Sequence, residues 1–134
     1  MDSILSYILT AVKKAKYIVF SQAGQIFGRQ NKVGCIAAFD CALPAEYDQQ
    51  KFPQEMQLNE RNFQLESVDR NVLVFASETS KGRKLRVAIM FVPEYQAYLA
   101  VGFIETALQL DYYEQMSFVR SEFQDRGGFT IEQP

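Results

Sequence analysis

Two apolar runs lying four residues apart constrain this chain more than any other feature. Lys84–Val92 reads KLRVAIMFV, Ala97–Ile104 reads AYLAVGFI, and Pro93-Glu94-Tyr95-Gln96 separates them. Both runs read as strands, and a connection this short joins antiparallel neighbours. The chain must therefore build a sheet, and each apolar face of a sheet needs a cover.

The rest of the chain supplies more strands and the covers. Ile4, Leu5, Ile8, Leu9 and Val12 recur at helical spacing and predict a helix over residues 4–16. Asp2 or Ser3 caps it, and Lys13, Lys14 and Lys16 suit the negative end of its dipole. Tyr17–Ser21 (YIVFS) and Gln25–Arg29 (QIFGR) predict a hairpin turning at Gln22-Ala23-Gly24. Residues 31–56 are irregular, with a short helix at Ile36–Leu43 broken by Pro44. Alternation at Phe63 and Leu65, a turn at Asp69-Arg70-Asn71 and the run Val72–Ala76 continue the meander, followed by a polar loop over Glu78–Gly82. Thr106 and Asp111 each start a capping-box pattern for a closing helix, whose stripe is Tyr112, Met116, Val119 and Phe123 and whose end is Gly127-Gly128. The segment Phe129–Pro134 is expected to be loose. The simplest arrangement sets the two terminal helices side by side on one face of the sheet.

Composition narrows the function classes. The 134 residues predict a single domain, 1–134. A net charge of −2 argues against a general nucleic-acid binder. No apolar stretch reaches membrane-spanning length, and the N-terminus has neither the basic start nor the cleavage site of a signal peptide. Histidine is absent, which removes the commonest general base and metal ligand and excludes any Ser-His or Cys-His nucleophile. Cys35 and Cys41 are too few for a disulfide scaffold and read as reduced thiols in the cytoplasm. Asp111, Glu114, Glu122 and Asp125 form no motif for catalysis or metal binding. No catalytic residue, metal or cofactor is expected.

Two aromatics stand off the helical stripes. At about 100° per residue, Tyr7 lies well over 100° from the centre of the first helix's stripe, and Phe118 lies roughly 120° from that of the closing helix. On neighbouring helices both rings would face a shared groove. Exposed aromatics offer flat binding area at low entropic cost. A basic segment, Lys81-Gly82-Arg83-Lys84 and Arg86, reads either as a solvated loop blunting a sheet edge or as a contact for an acidic partner or a phosphoinositide.

The order of elements resembles that of the profilins, small proteins that bind monomeric actin. Tyr7 on the first helix, Gly24-Gln25-Ile26-Phe27 in the hairpin, Met56–Leu65 and Tyr113-Glu114 with Ser117-Phe118-Val119-Arg120 in the closing helix carry the resemblance. It implies an α+β, profilin-like fold: a central antiparallel sheet with the N- and C-terminal helices packed together on one face. It also implies a cytoplasmic, cytoskeletal protein that regulates actin polymerisation as a monomer and without chemistry of its own. Ile4, Tyr7, Phe27 and Phe118 would line a groove for proline-rich peptides, which bind as pre-extended polyproline II helices. Lys81, Arg83, Lys84, Arg86, Tyr112 and Tyr113 would meet actin's acidic surface, and phosphoinositides are possible further ligands. The chain has no tryptophan, and Ile4 stands where the family carries one. The expected peptide binding is therefore weak, or lost. A roadblock or longin-type dimeric scaffold regulating small GTPases shares the element order and is the alternative.

Overall fold

The computed structural model describes residues 2–22, 25–32, 48, 52–58, 61–78, 84–104 and 110–129. The first helix, α1 (Asp2–Ala11), buries Leu5, Ile8 and Leu9, the positions its periodicity marks. It ends sooner than residue 16. Ala15 already begins β1 (Ala15–Gln22), paired opposite Phe103. Ladder hydrogen bonds to that partner take over from the helical ones, so Lys13, Lys14 and Lys16 fall outside the last turn. Lys32 supplies the cation there instead. Its Nζ donates to the carbonyls of Lys13 at 2.9 Å and Val12 at 3.4 Å, next to the helix end whose carbonyls lack partners.

β1 turns back into β2 (Gln25–Asn31). Phe20 pairs with Gly28 and Ser21 with Ile26, which leaves Phe27 as the extra residue of a β-bulge. Further on come β3 (Glu55–Leu58), β4 (Arg61–Asp69), β5 (Val72–Glu78), β6 (Lys84–Val92) and β7 (Ala97–Ile104). The expected turn after Asp69 is present, with Arg70 at φ 57°. Pro93–Tyr95 forms a single 3₁₀ turn between β6 and β7, closed by Gln96 at φ 50°. All pairings are antiparallel, in the order β2-β1-β7-β6-β5-β4-β3.

Each face of this sheet carries its own core. On one face, Ile18, Phe20, Val72, Val74, Ala88, Met90, Leu99, Val101 and Phe103 pack with Leu5, Ile8 and Leu9 of α1 and with Met116, Val119 and Phe123 of α2 (Tyr112–Asp125). On the other, Val19, Leu73, Phe75, Val87, Ile89, Phe91, Tyr98 and Ala100 are covered by Phe52, Met56 and Phe63. Tyr17 lies beside its ladder partner Gly102 so closely that a Cβ there would stand 1.9 Å from a ring carbon. Only glycine leaves room for that ring, whose phenol burial pushes up in pKa.

The expected α+β, profilin-like class is thereby corrected. The described residues form mostly one curled, seven-stranded antiparallel sheet with a helix at either end. Glu55–Leu58 and Arg61–Asp69 account for the difference. They extend into the paired strands β3 and β4, and the sheet's second face is closed by Met56 and Phe63 from these strands together with Phe52. The short helix expected at Ile36–Leu43, both cysteines and the Thr106 cap lie outside the described residues.

Asp111 caps α2, its Oδ1 accepting from the Glu114 N–H at 3.1 Å. The helix stops in a Schellman arrangement. Gly127 takes φ 78°, its N–H donates to the Gln124 carbonyl, and the Gly128 N–H donates to that of Phe123. The chain then folds back. Phe129, expected to be loose, is buried, stacked 4.1 Å from Tyr95 at 2° and set edge-on 4.7 Å from Phe123.

Candidate functional site

Among the described residues the most exposed large apolar side chains are aromatic. Tyr7, Phe27 and Phe118 are 45, 42 and 43% exposed. Each is held out by its element. Tyr7 lies off the α1 stripe that buries Leu5, Ile8 and Leu9. Phe118 lies off the α2 stripe of Met116, Val119 and Phe123. Phe27 is the residue that the β2 bulge leaves without a ladder partner.

Side-chain contacts tie Tyr7 and Phe27 to one region, the seam where α1 meets α2. Phe27 stands 6.3 Å from Phe20, and Phe20 stands 4.9 Å from Phe123 on the underside of α2. Three residues beyond Phe123, the Arg126 guanidinium carbon sits 3.3 Å from the centroid of the Tyr7 ring. This is a stacked cation–π contact. Phe118 and Glu122 stand four residues apart, as do Glu122 and Arg126, so Phe118 adjoins the flank of α2 that reaches α1. Along the helix axis Phe118 is about 12 Å from Arg126. On α1, Ile4 shares a flank with Tyr7 three residues on, and it is half-buried against the helical core.

Buried rings support the exposed ones. Phe20, Phe123, Phe129 and Tyr95 form a continuous edge-and-face cluster beneath the seam. Phe129 and Arg126 escape a reading of the sequence alone. Neither falls on a periodic stripe, and Gly127-Gly128 signals only that the helix ends. The Schellman turn reverses the chain and puts Phe129 into this cluster.

The residues singled out for a folded, acidic partner divide. Lys81 and Arg83 lie outside the described residues. Lys84 and Arg86 meet at Glu66, and Tyr112 and Tyr113 line the same cleft as Glu66 and Arg86. Arg86, 7% exposed, donates through Nε at 2.8 Å and through Nη2 at 3.1 Å to the two Glu66 oxygens. Lys84 Nζ stands 3.8 Å from the same carboxylate. The hydrogen bond from Arg86 holds the Glu66 carboxyl below the usual range, against the opposing effect of burial. Tyr112 packs edge-on against Phe103 at 5.3 Å, and Arg70 lies 3.9 Å from the Tyr113 ring. Hydrogen bonding to Arg70 draws the Tyr113 phenol down in pKa. A cleft of about 390 Å³ opens here, with Glu66, Asp69, Arg86, Asp111, Tyr112 and Tyr113 among its walls.

Among the described residues no group of three or more Cys, Asp and Glu side chains converges as a metal site, and no helix is long and apolar enough to cross a membrane. No family model matches the chain, and neither a curated protein nor a solved structure does. What fold and surface define by themselves is a mostly-β domain with one aromatic-lined seam between its terminal helices.

Proposed function

We propose that this protein is a non-catalytic binding module whose working surface is the seam between α1 and α2, and that its ligand there is an extended, proline-rich peptide. One observation carries the reading: Tyr7, Phe27 and Phe118 are all more than 40% exposed although buried positions lie beside them on the same elements. Solvent-facing rings of this size are favoured where a ligand covers them. Flat rings suit a polyproline II helix, which is already extended and loses little entropy on binding.

The test is a titration of isotope-labelled protein with a proline-rich peptide of about ten residues. Shift changes should centre on Tyr7, Phe27 and Phe118. Tyr7→Ala should weaken binding roughly tenfold, about 1.4 kcal/mol, with little change in Tm. No shift changes at millimolar peptide would sink the proposal, as would unfolding of the Tyr7→Ala variant.

Monomeric actin is the folded partner we propose beside it, placing the protein in the cytoplasm. The favouring observation is that Lys84 and Arg86 meet at Glu66, whose cleft Tyr112 and Tyr113 also line at the start of α2. Arg86 is committed inward to Glu66, so among these the charge offered to a partner is that of Lys84. A pull-down with purified monomeric actin should capture the protein, and Lys84→Glu should weaken the capture. Failure of the unaltered protein to bind at tens of micromolar removes this partner and leaves the peptide seam untouched.

A further inference from the structure

We infer that Arg126 is the polar determinant of the seam, and that the peptide it selects carries an acidic residue among its prolines. The inference rests on the reading of the seam as a peptide groove and names the chemistry of its ligand. An aromatic groove alone is indifferent to charge. Here the face of Tyr7 bears a guanidinium, 3.3 Å from the ring centroid. A guanidinium centred this close lies flat on the ring; it takes up that face of Tyr7, and its N–H donors point outward along the groove. Stacking also pre-orients the fork, so less freedom is lost when a carboxylate arrives.

Among the described residues the polar partner of Arg126 is Glu122, reached through Nε at 3.4 Å. That pair is long and of the i,i+4 helical kind, and its side chains are 39% and 27% exposed. Such pairs contribute only about 0.3–0.5 kcal/mol. The pair is too weak to satisfy the guanidinium, and it leaves the Nη groups for an incoming acceptor. Glu122 holds Nε while Tyr7 holds the plane, and the remaining edge is the one that takes a carboxylate in two parallel hydrogen bonds. Neutral carbonyls of the peptide backbone are weaker acceptors for the same donors. The seam therefore discriminates by charge as well as by shape.

Two peptides test this: a proline-rich decamer with one central Asp, and the same decamer with Asn. At about 50 mM salt the Asp peptide should bind roughly fivefold tighter, the upper end for an exposed ion pair. The advantage should shrink as salt rises to about 500 mM, where charges are screened within a few ångströms. Arg126→Gln should abolish the difference between the peptides. Arg126→Lys should keep part of it, since the charge stays and the flat stack is lost. Equal binding of the two peptides by the unaltered protein overturns the inference while leaving the groove intact. So does an Arg126→Gln variant that binds both peptides more tightly, because Arg126 would then be a cover over Tyr7. If neither peptide binds, the groove itself falls and the inference with it.

Discussion

At the scale of single residues, the electrostatics of the molecule centre on Arg86. It sits on the helix-bearing face of the sheet, buried except for 7% of its surface, and Glu66 answers it with both oxygens. Removing one partner of such a pair strands a charge in a poorly solvated place. Glu66→Gln should therefore destabilise the protein at pH 7 by about 2 kcal/mol, less than a fully buried pair because the Glu66 side chain is 34% exposed. The sign of the pH dependence follows from the depressed carboxyl of Glu66. The folded form holds the proton less readily than the unfolded chain, so the contribution is complete above the ordinary carboxylate pKa and fades as pH falls through the lower folded value. Urea denaturation across that acid range should show the variant and the parent converging. A constant gap would refute the assignment. None of this was visible in the basic run Lys81–Arg86, because the pattern of charges does not reveal which cation a fold turns inward.

Among the elements, α2 shows what a sequence discloses and what it hides. Its buried stripe and its glycine end were legible, and its cap at Asp111 was one of two candidates beside Thr106, because each is a local rule about backbone groups or periodicity. The same holds for β6 and β7, whose apolar runs leave no other reading. The end of α1 was not legible. Residues 12–16 satisfy the helical pattern well enough, and pairing of β1 with β7 overrides it. Phe129 was hidden for the same kind of reason: its partners Tyr95, Phe20 and Phe123 come from three other places in the chain. Phe129→Ala should cost about 3 kcal/mol in thermal or chemical unfolding, as large-to-small changes in a packed core do. Phe118→Ala, on an exposed position of the same helix, should stay within about 0.5 kcal/mol. Equal losses from the two would mean that Phe129 is not held in the cluster.

For the whole molecule, the corrected expectation concerns how a two-faced sheet gets covered. The amphipathic helices were easy to find and cover one face. The second cover is assembled from Phe52, Met56 and Phe63; the alternation at Phe63 and Leu65 marks a strand, but nothing local says which face it closes. The resulting strand order places β7 and β6 inside and β2 and β3 at the rims. Amide exchange should follow that order. The slowest protons belong to β6 and β7, paired on both sides, and the fastest strand protons to β2 and β3. Uniform protection across the sheet would contradict this layering. The bulge at Phe27 bears on a different hazard. A rim strand that displays Ile26 and Phe27 to water would, if straight, be a template on which a second molecule's strand could lie down and begin a fibril. The additional residue bends and twists that rim, so one geometric irregularity keeps sticky side chains on display while denying them a flat backbone to grow from.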